Sequence, residues 1–104
     1  MSVNKLKKLE KSLGVEFDNI NLLKQSLVHR SYINEHPDFE IGHNERLEFL
    51  GDAVLEIVVT EYLFVNFQGV AEGDLTNWRA SLVNSKMLHQ VAEELGVEEC
   101  LYLS

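Results

Sequence analysis

Apolar residues recur at helical spacing along most of the chain. Val3, Leu6, Leu9 and Leu13 stand among lysines and run up to Gly14, a pattern that predicts a short amphipathic helix with a glycine stop. Asp18 or Asn19 can cap a second helix with core positions Ile20, Leu23 and Leu27. That helix is expected to end near His29 and Arg30, a basic end that suits the helix dipole. Ser31 to His43 holds Pro37, Gly42 and no sustained period, and reads as a turn or loop region. A long helical pattern follows from about Asn44 to Phe67, broken at Gln68-Gly69. Leu75, Trp78 and Leu82 then repeat at i, i+3, i+7, and Met87, Leu88, Val91, Ala92 and Leu95 form a stripe stopped by Gly96, which predicts two more helices. Val54 to Thr60 is rich in β-branched residues but lies within the longer helical pattern, so the expected fold class is all-α.

The long helix carries the most informative chemistry. With Glu45 set at zero, a rotation of about 100° per residue places Glu48 at roughly −60°, Asp52 at roughly −20° and Glu56 at roughly +20°. Four carboxylates therefore share one stripe, with no basic residue inside it. Like charges at i, i+4 destabilise an isolated helix by about 0.2 to 0.5 kcal/mol per pair. Leu47, Leu50, Val54, Ile57 and Val58 cover the opposite side, and Phe49, Leu55 and Val59 flank the acids. A helix apolar nearly all round is expected to be central and buried. Carboxylates on such a helix must be protonated, paired or bound to a cation, because desolvating them unpaired is costly. An oxygen-only donor set suits Mg2+ or Mn2+, with Glu48 and Asp52 one turn apart as the natural pair. Metal-assisted phosphodiester hydrolysis is the chemistry this favours. A structural acid network and an acidic partner-binding face stay open beside it.

Composition narrows the setting. At 104 residues, 45% hydrophobic and 25% charged, the chain has the size and balance of one soluble domain with one core. No apolar run approaches the ~18 to 20 residues of a membrane span. The start, Met1-Ser2-Val3-Asn4-Lys5, lacks the apolar stretch of a secretory signal. A cytoplasmic location is expected, with neither membrane partner nor organic cofactor. Cys100 is the single cysteine; it excludes an internal disulfide or a multi-cysteine zinc site and reads as a half-buried free thiol near a helix end. The net charge of −8 argues against affinity gained by neutralising phosphates, unless the acids themselves hold cations.

The run Asn44 to Leu55, NERLEFLGDAVL, resembles the signature of the ribonuclease III family. The likeness continues through His29-Arg30-Ser31-Tyr32 with Asn34-Glu35, Gly42-His43, Glu61-Tyr62-Leu63-Phe64, Glu72-Gly73-Asp74-Leu75 and Arg79-Ala80-Ser81-Leu82-Val83-Asn84, covering essentially the whole chain. The resemblance implies a metal-dependent endoribonuclease for double-stranded RNA, with Glu48 and Asp52 as metal ligands and Asp52 as the residue usually named catalytic. It places Glu45 and Glu72 at acidic positions that support the site or touch substrate. Taken alone, Glu72-Gly73-Asp74 reads as a helix start capped by Asp74. Phe49, which in isolation would be assigned to the core, matches a position that plugs a socket on the partner subunit of a homodimer. Such a dimer faces two acidic sites to one duplex and cuts both strands, leaving a short 3′ overhang. Arg46 and Arg79 read as salt-bridge formers. His29 and His43 match family positions without metal-ligand spacing and are assigned structural or substrate-edge roles.

Complete family members close the metal site with a second acidic pair on a later helix, often followed by a separate RNA-binding domain. Glu93, Glu94, Glu98 and Glu99 match a different part of the pattern and are not taken as that pair. Residues 1–104 are therefore read as a ribonuclease III endonuclease domain lacking its C-terminal helices, inactive or weak alone, and acting in RNA processing such as ribosomal RNA maturation. Mg2+, or Mn2+ in its place, is the expected cofactor, and double-stranded RNA and a second copy are the expected partners. The competing reading is a non-catalytic dimerisation or RNA-scaffolding module on the same fold. Glu45, Glu48, Asp52 and Glu72 account for half of the net charge, which reconciles an acidic chain with an RNA partner. Lys5, Lys7, Lys8 and Lys11 are basic residues available to RNA, and shape and 2′-hydroxyl contacts would dominate recognition.

Overall fold

A computed structural model describes residues 3–103, the side chain of Val3 excepted. Met1, Ser2 and the side chain of Val3, the first position of the first apolar stripe, thus lie outside what is described. The elements are α1 (Val3–Leu13), α2 (Ile20–Ser26), α3 (Arg30–Glu35), α4 (Glu45–Asn66), α5 (Glu72–Leu82), α6 (Ser85–Leu95) and a 3-10 turn (Glu98–Cys100). Among the described residues no strand forms; one parallel bridge joins Val28 to Tyr102.

Local chemistry sets the helix ends. Gly14 and Gly96 take positive φ, 74° and 76°, where a side chain would be strained, so both stops fall where the sequence places them. Asn19 accepts a hydrogen bond from the Asn21 N–H at 3.1 Å, and Asn84 accepts one from the Met87 N–H at 2.9 Å; these are side-chain N-caps of α2 and α6. The second helix stops at Ser26, short of the expected His29-Arg30. The backbone of Leu27 to His29 is taken up instead by the returning C-terminus: Tyr102 N–H donates to Leu27 O at 2.9 Å and His29 N–H to Tyr102 O at 3.0 Å. The segment expected to be loop opens with α3, whose first turn is capped by His29 Nδ1 accepting from the Ser31 N–H at 3.1 Å. With six residues α3 is too short to display a period. α5 starts at Glu72 with Ala71 at the cap position, so Asp74 lies inside the helix and does not cap it.

The core sits at one end. Leu6 and Leu9 of α1, Leu23 of α2, then Leu27, Val28, Cys100 and Tyr102 form one buried cluster, packed by Tyr32, Ile33 and Phe39. Tyr32 meets Phe39 and Tyr102 edge-on, each at 5.1 Å between centroids, the favoured geometry for aromatic pairs. Glu10 is buried on α1; its carboxyl oxygen accepts from the Phe17 N–H at 2.7 Å, which gives the buried group a donor and fixes the turn after Gly14. Cys100 is a free thiol, buried and not half-buried, in the 3-10 turn.

α4 is not the buried rod that its composition predicts. Among its described residues only Leu63 is buried, while Phe49 is 84% exposed, Ile57 66% and Phe64 71%. α5 folds back along the C-terminal half of α4, with Phe67 edge-on to Trp78 at 5.2 Å, while Leu50, Val54, Ile57 and Val58 stay exposed. The radius of gyration of 16.2 Å and extents of 53 × 27 × 23 Å exceed the ~13 Å radius of a compact chain of this length. No helix among the described residues is long and apolar enough to cross a membrane.

Candidate active site on the central helix

The start of α4 is pinned to the core end. Asn44 N–H donates to Val28 O at 2.9 Å and Glu48 N–H to Asn44 O at 2.8 Å. The Asn44 side chain donates to Ser26 O at 2.9 Å, and His43 Nδ1 accepts from the Glu45 N–H at 3.3 Å. His29 and His43 therefore both serve as helix-start acceptors, within the structural role expected of them. These bonds fix the axial position and rotation of the first turns, and with them the direction in which the acids point. Glu45 and Glu48 lie in the first turn, where the helix dipole favours negative charge.

The four acids of the stripe fall into two kinds. Glu45 is held by Arg30, Nη2 to Oε1 at 2.7 Å. Glu56 faces Arg79, Nε to Oε1 at 3.9 Å, and Arg79 also donates to Thr60 Oγ1 at 2.9 Å. Between them Glu48 and Asp52 form no ion pair with any described residue. Both are exposed, so the desolvation argument made from the sequence does not apply to them. What remains is a hydrated pair of like charges one turn apart, with arginines stationed on the acids either side. Two carboxylates one turn apart with open water around them suit a hard divalent cation, which takes one or two protein oxygens and keeps its own water.

Arg79 forms the expected inter-helix bridge. Arg46 does not; about 100° around the helix from Glu45, it faces away from the stripe and meets no acid among the described residues. Glu72 is not brought to the pair. It lines a cleft of about 250 Å³ with Thr60, Leu63, Phe64, Leu75, Thr76 and Arg79, and Thr60 is roughly 12 Å along the helix from Asp52 at ~1.5 Å per residue. Phe49 stands beside Glu48 with its ring in open solvent. Arg30 is the residue whose role sequence reasoning missed, since its link to Glu45 spans fifteen positions and has no local signature.

Residues 19–104 match the Ribonuclease-III-like family. The chain belongs to this family. It is 48% identical over 98 residues to ribonuclease 3 of Dehalococcoides mccartyi, covering 94% of this chain and 41% of that protein. Ribonuclease 3 of Carboxydothermus hydrogenoformans is 46% identical over 103 residues, covering 99% of this chain and 44% of the relative. The nuclease domain of ribonuclease III from Campylobacter jejuni superposes with a TM-score of 0.83 at 46% identity, over 95% of this chain and 65% of that one. That structure is described as flexible in a region involved in dimer formation. This ribonuclease III-like chain thus spans less than half the length of these curated relatives, and its all-α architecture is that of the family's nuclease domain.

Proposed function

We propose that residues 1–104 form the N-terminal part of a ribonuclease III endonuclease domain, which hydrolyses phosphodiester bonds of double-stranded RNA with a divalent cation and works as a homodimer in cytoplasmic RNA processing. The observation that carries this reading is the pairing pattern along α4: Glu45 and Glu56 have arginine partners, while Glu48 and Asp52 have none. Glu48 and Asp52, one turn apart, repel each other with no cationic side chain among the described residues to offset it. Retaining them is readily understood if they bind a cation.

In this reading Glu48 and Asp52 hold Mg2+ or Mn2+, with Asp52 as the principal catalytic carboxylate. The cation would supply Lewis-acid stabilisation of charge at phosphorus and lower the pKa of a bound water. Arg30 draws Glu45 toward the core end, and Arg79 draws Glu56 toward α5, so the flanking acids are steered away from competing geometries. Glu45 then supports the site from one turn away. Glu72, remote from the pair within one subunit, acts at the substrate edge. Phe49, exposed beside the ligands, is the anchor for a second subunit, because a ring of that size in open water gains about 1.5 to 3 kcal/mol when fully buried.

The test is cleavage of a fully paired RNA by a chain extended through the rest of the nuclease domain. Glu48→Gln with Asp52→Asn should abolish Mg2+-dependent cutting without loss of helicity or dimer. Surviving activity would remove these residues from the catalytic role. The 104-residue chain alone should cut little or not at all, and vigorous Mg2+-dependent cleavage by it would contradict its reading as an incomplete domain.

A further inference from the structure

A second set of metal-ligating side chains lies away from α4. His89 and Glu93 are one turn apart on α6, with Nε2 and Oε1 at 2.7 Å. The positive φ of Gly96 ends that helix and turns the chain back, so that Glu98, first residue of the 3-10 turn, brings Oε1 to 3.8 Å from the same nitrogen. All three ligand atoms lie within 4.8 Å of one another. Among the described residues neither glutamate meets a lysine or arginine; the imidazole is the only group between two converging negative charges.

We propose that His89, Glu93 and Glu98 form a binding site for a borderline divalent cation, with Zn2+ as the best match, separate from the carboxylate pair of α4. One imidazole and two carboxylates are an ordinary zinc donor set, with three protein ligands and one position left to water. Ligand atoms ~2.1 Å from a tetrahedral cation stand roughly 3.4 Å apart, and the observed 2.7 and 3.8 Å fall on either side of that spacing. All three side chains are more than half exposed, so the remaining adjustment is a rotamer change at the surface that disturbs no packing. The two sites select different ions. The nitrogen donor favours Zn2+ here, whereas the oxygen-only pair on α4 suits Mg2+. An ion bound by all three residues would tie α6 to the turn that carries Cys100 and Tyr102 into the core, and so would stabilise the closure of the C-terminus on Val28.

The experiment is titration of the EDTA-stripped chain with Zn2+ against a chromophoric chelator, paired with thermal unfolding. One equivalent should bind and raise the melting temperature. His89→Ala and Glu98→Gln should each weaken binding at least about tenfold, the lower bound seen even when residues behind metal ligands are changed, and His89→Ala should abolish the thermal shift. Glu48→Gln with Asp52→Asn should leave the Zn2+ affinity unchanged. The proposal is overturned if Zn2+ binding survives His89→Ala undiminished, if it is lost in the α4 double variant instead, or if no saturable binding is found, in which case the histidine is only a bridge between two carboxylates. Because His89 is exposed, a folding defect in His89→Ala is not expected, and a zinc-dependent shift of its imidazole NMR signal in the unaltered chain reads out the same ligation without any substitution.

Discussion

The two ends of this molecule use similar residues to opposite effect. At the core end, Leu6, Leu9, Leu23, Leu27 and Val28 are closed over by a C-terminal segment that returns to pair with Leu27 and His29. Along α4 an equally apolar set, Leu50, Val54, Ile57, Val58 and Phe64, stays in solvent with α5 on one side only. The difference lies in what comes back to cover each surface, not in hydrophobicity. Burial requires a second layer, and for the arm of α4 and α5 the described chain provides half of one. This chain covers 65% of the solved Campylobacter jejuni nuclease domain.

The sharpest way to break the comparison is truncation at each end. Leu23→Ala should cost about 2 to 5 kcal/mol in urea unfolding, as large-to-small changes in a packed core do, while Ile57→Ala in this chain should stay within about 0.5 kcal/mol. An equal cost for Ile57→Ala would mean that the arm is covered in solution. Next in size is the cap of α6: Asn84→Ala should lose about 0.5 to 2 kcal/mol, read in the same assay. Arg30→Ala and Arg79→Ala should each cost under about 1 kcal/mol, since both bridges are exposed, and the loss should shrink at high salt. Smaller still, and opposite in sign, Asp52→Asn should raise stability in EDTA by a few tenths of a kcal/mol, about the repulsion between like charges one turn apart, since Asp52 lies beyond the first turn of α4 and between Glu48 and Glu56.

A pH experiment separates the ends without truncation. Burial, and then the neighbouring Tyr32, Cys100 and Glu40, raise the Tyr102 hydroxyl above its ordinary value of 10.0. The folded state therefore holds this proton more tightly than the unfolded state. Its contribution is present in full below pH ~10 and is lost as pH climbs through the raised value. Alkaline unfolding should start from the core end, and Tyr102→Phe should flatten the pH dependence above about 10 while leaving stability near pH 7 little changed in its charge component.

Much of this was legible in the residues. The span of α4 was readable to within a residue or so at each end, because apolar periodicity and the Gln68-Gly69 break are local features. The stops at Gly14 and Gly96 were readable because positive φ selects glycine, and the alignment of Glu45, Glu48, Asp52 and Glu56 follows from helical geometry. α3 was not legible, being shorter than two turns, nor was the burial of Glu10, which rests on a backbone N–H from Phe17. The burial expected of α4 failed because composition reports a demand for cover and says nothing of its supply. The resemblance of Asn44 to Leu55 to a ribonuclease III signature was borne out by the match of residues 19–104 to that family.

The sequence by itself determined the long helical spans and their glycine stops, which four acids share a face, and the family to which the chain belongs, because each depends on near neighbours or on a contiguous pattern. Only the tertiary structure decided which of those acids are neutralised. Arg30 reaches Glu45 across fifteen positions of chain, Arg79 reaches Glu56 because α5 folds back on α4, and His89, Glu93 and Glu98 converge through a single glycine turn. Coulombic interactions fall off over distances in space, and distance in space between residues far apart in the chain is set by the fold alone.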